Sequence, residues 1–327
     1  MQLLPLLSFF FLIPTGWASL GDQLYEFEQC IDACEFTVCH TRTTFQENRF
    51  LKASFEDTPP LLKLLVWDCP TNCDYQCQQI ITQLRTNKGE EVLQFHGKWP
   101  FKRLFGTQEL ASAIFSMLNF HPHYYNFRKS TKLYNEAFGS FKVLYGNIVL
   151  MSAVTMSAWI FSTIFHIRDL LVTERLDYFF AGATVLSGFH GLLIRVFRLD
   201  RDPTKRKWAS IACALMYLFH FIRLSYDWSY TYNMQANIFV ALLQYLLLLK
   251  LGYDHYQRDP KGTLWTKPPL LILIVVLAMS FEVFDFINLR FQLDAHAMWH
   301  LFTVLPGYWL YDFLYADINT LRDHYTD

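Results

Sequence analysis

Charge is what this chain has least of. Only 17% of its 327 residues are Asp, Glu, Lys or Arg, against roughly 25% in a soluble domain. The formal net charge is −1, which removes bulk basicity as a route to nucleic acid. There is no internal repeat and no low-complexity tract. Cysteine is scarce beyond Cys77, where only Cys213 remains, in an apolar segment that suits an inert packed thiol. Lys and Arg are absent from the first nineteen residues, so the start of the chain has no charge to offer but its terminal amine.

What fills the space is apolar. Hydrophobic residues make up 53% of the chain and aromatics 18%, gathered in blocks long enough for bilayer-crossing helices of about 20 residues. Leu3 to Ile13 is a short apolar run ended by Pro14 and Gly16, and the small residues around Ala18 suit signal peptidase. Residues 1–19 are therefore expected to be a secretory signal, 20–105 a lumenal domain, and 106–327 a membrane bundle. The expected fold is an all-α seven-transmembrane bundle behind a small disulfide-rich domain, with spans near 108–126, 143–166, 178–197, 208–226, 230–252, 268–289 and 294–314.

Six cysteines, Cys30, Cys34, Cys39, Cys69, Cys73 and Cys77, fall within one stretch of the lumenal domain. Behind a signal peptide they read as three disulfides, with 15 possible connectivities. The spacings C-x3-C-x4-C and C-x3-C-x3-C do not exclude a metal; the oxidising compartment favours disulfides. Residues 95–105 interleave aromatics with Lys and Arg, a pattern suited to lying on the bilayer surface.

Lys and Arg collect on alternate loops. Arg128, Lys129, Lys132 and Lys142 follow the first span, Arg198 to Lys207 the third, and Arg258, Lys261 and Lys267 the fifth. The positive-inside rule makes these loops cytosolic, the N-terminal domain lumenal and the C-terminus cytosolic.

Polar residues inside spans are expensive and tend to mark sites. Ser162 and His166 close the second span, Asp177 opens the third, and Asp294, His296 and His300 open the seventh. By topology all lie at the lumenal end. His296 and His300 are four apart on one helix face. With His166 they would offer three imidazoles and an open position, the ligand set of a catalytic zinc. Asp177 could serve as general base, Ser162 could bond the water or the oxyanion, and Asp294 could orient a histidine. Plainer roles stay open: Ser162 bonding a helix carbonyl, Asp177 solvated near a helix start. Three imidazoles also suit other transition metals. Glu282 and Asp285 in the sixth span could bind a cation, carry protons, or pair with Arg223 or Arg290. His190, His220, Asn233 and Asn237 suit packing and helix linkage.

Ser162-x3-His166, Asp177 eleven residues later, and Asp294-Ala295-His296-x3-His300 resemble the CREST superfamily of seven-helix zinc-dependent lipid hydrolases. Within it the chain is most similar to the post-GPI-attachment lipid-remodelling family. The resemblance is carried by the Cys-rich domain, Trp67-Asp68-Cys69, the stretch from Phe95 to Phe101, Phe165-His166-x-Arg168-Asp169, Glu174-x2-Asp177-Tyr178, and the run from Leu293 to His300. It implies removal of the sn-2 acyl chain from the glycosylphosphatidylinositol (GPI) anchor of attached proteins, in the endoplasmic reticulum or Golgi membrane. It also implies zinc on His166, His296 and His300, with Ser162 and Asp177 completing the site and Asp294 beside it. The expected partners are GPI-anchored proteins and lipid, with no nucleic acid. The rivals are a ceramidase-like amidase and a non-catalytic receptor, cargo adaptor or metal-handling protein.

Overall fold

The computed structural model describes residues 19–44, 47–288 and 293–326. The apolar run expected as a signal peptide lies outside them, as does Arg290. The chain divides into two compact units. One holds the N-terminal residues to Leu110 together with Ile287–Asp294, and the other holds Ala111–Phe286 and the C-terminal residues from Ala295.

The first unit is built on two helices, α1 (Tyr25–Cys34) and α3 (Cys69–Asn87), with a single turn, α2 (Pro60–Leu64), between them. Asp68 caps α3: its carboxylate accepts from the Thr71 amide while the Asp68 amide donates to the Thr71 hydroxyl. Cys30 and Cys34 are one turn apart on α1, and Cys73 and Cys77 one turn apart on α3. Both pairs are buried, so the two rows face each other. The pairing is nested: Cys30–Cys77, Cys34–Cys73 and Cys39–Cys69. Each closes a loop of 30 to 47 residues, worth ~4 kcal/mol singly in the loop-closure account. Nested loops overlap, so these values do not add. The metal alternative for these cysteines gives way to disulfides.

Phe95 packs into this core, its ring 4.7 Å from that of Phe27. That corrects the expectation for residues 95–105. Phe95 and Phe101 are buried. Arg103 lies 4.5 Å over Trp67 and 4.1 Å over Tyr75, and Lys98 pairs with buried Glu109 at 2.6 Å. The cation–aromatic alternation is spent on internal contacts, leaving Leu104 and Phe105 as the exposed apolar residues of the stretch. Gly106 closes it at φ +81°, where a Cβ would come within 2.5 Å of Leu65.

The second unit is helical: α4 (Leu110–Glu136), α5 (Gly139–Ile167), α6 (Leu171–Val196), α7 (Pro203–Tyr226), α8 (Tyr230–Arg258), α9 (Lys267–Phe284) and α10 (Ala295–Thr326). Among the described residues, five segments are long and apolar enough to cross a membrane: α5, α6, α7, α8 and Leu264–Glu282. The first and last helices, expected as spans, are not in that set, and the reason is their polar content. The buried face of α4 carries Ser112, Ser116, Asn119, His123, Asn126 and Ser130, which turns towards α10. Asn119 Nδ2 donates to the His300 carbonyl at 2.6 Å, His123 Nδ1 lies 2.8 Å from the Tyr311 hydroxyl, and the Tyr315 hydroxyl donates to the Asn126 carbonyl at 3.3 Å. Polar groups paired between helices are tolerated where lipid-facing ones would not be.

Helix α4 runs through Pro122 to Glu136, so Arg128, Lys129 and Lys132 are helical rather than in a loop. Lys205, Arg206 and Lys207 likewise sit in the first turns of α7. Arg223 pairs with Asp227 at 2.8 Å, not with an acid of the expected sixth span. Near the chain end, Arg195 on α6 grips Asp317 on α10 through two bonds of 2.6 and 2.7 Å, with His255 of α8 at 2.9 Å from the same carboxylate.

Candidate active site

Helix α5 presents one buried face, on which Ser162 and His166 are one turn apart. The helix ends at Ile167, and the three residues 168–170 reverse the chain into α6. Short connections likewise join the other helices, so alternate ends gather on one side: the end of α5, the start of α6, the start of α8, the end of α9 and the start of α10. Aromatic contacts tie these ends together. Phe165 meets Tyr178 at 6.4 Å between ring centres, and Tyr178 stacks on Trp228 at 5.2 Å and tilts against Tyr230 at 6.1 Å.

Three histidines converge there. The ring centre of His166 lies 5.2 Å from that of His296 and 5.1 Å from that of His300, and the latter two are 4.5 Å apart. Each offers a ring nitrogen, all within 4.8 Å of one another. His166 and His300 are almost fully buried. The Nε2 atoms of His296 and His300 face each other at 2.8 Å. His296 Nδ1 is 2.7 Å from Glu282 Oε2, and the Tyr230 hydroxyl donates to the other oxygen, Oε1, at 2.7 Å. A carboxylate on Nδ1 fixes the N–H there and leaves the Nε2 lone pair aimed at the other imidazoles, as ligand histidines require. His300 Nδ1 is buried with no hydrogen-bond partner among the described residues. The donor set and its convergence fit a divalent transition ion.

The remaining candidates are placed as follows. The Ser162 hydroxyl is buried, 3.2 Å from that of Ser116. Asp177 is half-buried, one residue before Tyr178 in the aromatic seam. Asp294 is buried and belongs to a two-residue antiparallel ladder in which it pairs with Ile287. The sequence offers Asp294 as the acid that orients a histidine; on His296 that acid is Glu282. Asp285 caps α9 and is exposed.

Four contributors escape a reading by motif: Glu282 in its orienting role, Tyr230 behind it, Ser116 beside Ser162, and Trp159. The Trp159 ring stands edge-on to His300 at 5.2 Å. Its indole nitrogen is buried without a partner among the described residues. Only Glu282 left a signal, as an acid in an apolar helix.

Comparison with known proteins finds relatives along most of the chain. The profile of the Per1-like family matches residues 59–318. The chain is similar to Protein PER1 of Saccharomyces cerevisiae, at 42% identity covering 91% of this chain and 92% of that protein. It is also similar to a protein of Cricetulus griseus named GPI-specific phospholipase A2-like PGAP3, at 31% identity over 92% of this chain and 90% of that one. A third relative, post-GPI attachment to proteins factor 3 of Drosophila melanogaster, is 30% identical over 94% and 93%. No solved structure matches the chain.

Proposed function

This chain belongs to the Per1-like family, and from that premise we propose that it hydrolyses the sn-2 acyl ester of GPI-anchored proteins, leaving a lyso anchor for reacylation. It does so in the endoplasmic reticulum or Golgi membrane, as a seven-span protein whose histidine site and disulfide-bonded domain face the lumen and whose C-terminus faces the cytosol. The observation that carries the proposal is the convergence of His166, His296 and His300, with Glu282 on the outer nitrogen of His296.

His166, His296 and His300 would hold zinc. Bound there, it would supply Lewis acidity towards an ester carbonyl and acidify a water at neutral pH. Glu282, itself held by Tyr230, keeps the His296 ring in one tautomer and one orientation. Asp177 accepts a proton as water adds to the acyl carbon and returns it to the departing glycerol oxygen. Ser162 donates to the carbonyl oxygen as negative charge gathers on it. The products are a free fatty acid and a lyso anchor, which balances one ester against one water. Apolar helix walls around the site hold the acyl chain.

The test is a cleavage assay on the purified full chain, using a GPI-anchored substrate labelled in its sn-2 chain and a ceramide substrate in parallel. Release of labelled fatty acid that fails after chelation, and fails in His296→Ala, supports the proposal. Cleavage of ceramide instead would make the chain an amidase. Absence of any release from folded, metal-loaded protein would favour a receptor or adaptor.

A further inference from the structure

At the end of the bundle opposite the histidines, Tyr134 of α4, the start of α5, the later turns of α6 and the start of α7 line an open cleft of about 520 Å³, within the size range of small-molecule sites. Its lining contains no Asp or Glu. Lys142, Arg206 and Lys207 all border it, and none has a carboxylate partner among the described residues. Arg206 donates from Nη1 to the backbone carbonyl of Asp200 at 3.1 Å, leaving its other donors uncommitted to an acid. Deeper in, Asn147 Nδ2 and His190 Nδ1 are buried without hydrogen-bond partners among the described residues, while His190 Nε2 meets the Ser210 hydroxyl at 2.9 Å. Such a buried donor is costly when left unsatisfied, so a ligand oxygen there would recover what the protein alone forgoes.

Three cations without a carboxylate partner, Lys142 resting over the Tyr134 ring at 4.9 Å, stand over buried polar groups and call for a multiply charged oxyanion. The surroundings say where that anion comes from. Phe138 is 83% exposed and Trp208 65% exposed. They flank Lys142 and Lys207 in the sequence, as aromatics do at the headgroup level of a bilayer. We propose that this cleft binds the phosphorylated headgroup of an anionic membrane lipid, from the leaflet opposite the histidine site. The phosphates sit among Lys142, Arg206 and Lys207, and headgroup hydroxyl or ester oxygens reach Asn147 and the His190–Ser210 pair. Naming that leaflet cytosolic rests on the positive-inside reading above; the cleft and its occupant do not.

The experiment is native mass spectrometry of the purified full chain in detergent, titrated with dioctanoyl phosphatidylinositol 4-phosphate. Dioctanoyl phosphatidylcholine, inositol 1,4-bisphosphate and inorganic phosphate are titrated in parallel. The expected result is saturable, salt-sensitive binding of the anionic lipid, with phosphatidylcholine at least ten-fold weaker. Lys142→Gln/Lys207→Gln should weaken it ten-fold or more, and Asn147→Leu several-fold, in proteins that melt as the parent does. Equal retention of phosphatidylcholine, or an unchanged affinity in the double variant, overturns the proposal. Inositol bisphosphate or phosphate binding as tightly as the lipid overturns the lipid assignment and makes this a soluble-anion site. Detergent removes sidedness, so a wrong topology leaves the binding intact, whereas a wrong cleft leaves the double variant binding as the parent does.

Discussion

Glu282 Oε2 lies 2.7 Å from His296 Nδ1, joining the end of apolar α9 to the start of the more polar α10 through a carboxylate–imidazole contact. The pair explains why an acid stands in a segment apolar enough to cross a membrane.

Replacing Glu282 by Gln should leave the fold intact and weaken metal retention by ~10–100-fold, the usual effect of losing an outer-shell partner. Competition against a chelator of known affinity measures it. Retention equal to the parent would detach Glu282 from the site.

His166→Ala and His300→Ala should each lower the metal content of purified protein to background, because two imidazoles make a far weaker site than three. Elemental analysis of chain purified without added metal reads the outcome directly. Near-stoichiometric metal in both variants would place the ion elsewhere.

Peptide mapping without reduction should recover the pairs Cys30–Cys77, Cys34–Cys73 and Cys39–Cys69, with Cys213 as a thiol. The double variant Cys34→Ser/Cys73→Ser should lose ~2–5 kcal/mol, seen as a lower melting temperature of the N-terminal unit. Any other pairing among the six would refute the nested arrangement.

Arg195→Met alone should destabilise the bundle by ~3–5 kcal/mol, since it leaves the buried Asp317 carboxylate with His255 in place of a bidentate guanidinium. Arg195→Met/Asp317→Leu should recover much of that loss, because the buried carboxylate is removed together with its guanidinium partner. Thermal melting in detergent compares the two. A double variant no better than the single would mean that the site is held by more than charge pairing.

How much of this was legible in the sequence follows from which forces leave a periodic trace. Apolar runs mark α5 to α9 because lipid-facing residues must be apolar along their whole length. The C-terminal end of α4 did not show, because Pro122 and the later lysines imitate a loop while the helix continues through both. The histidines were legible by spacing, His296 and His300 one turn apart and His166 beside a turn. Glu282 was legible as an oddity but not as a partner of His296, since the two belong to helices whose contact no local pattern encodes. Residues 95–105 misled for the same reason: Phe95 and Phe101 have interfacial chemistry, and only tertiary contact with Phe27 and α3 shows them to be core. The connectivity of the cysteines, open by counting, was settled by two facing helices with matching four-residue spacing.

The nesting of the disulfides also orders their making. A ribosome delivers Cys30, Cys34 and Cys39 before any of their native partners exists, so all three must wait as thiols while at least thirty further residues emerge. Cys69 then arrives first and belongs to the innermost, most recently made cysteine; Cys73 and Cys77 follow for the next two outward. The chain can therefore be closed like a zip from the inside, in the order of its own synthesis. Any oxidant that acts before Cys69 appears can only make a bond that must later be undone.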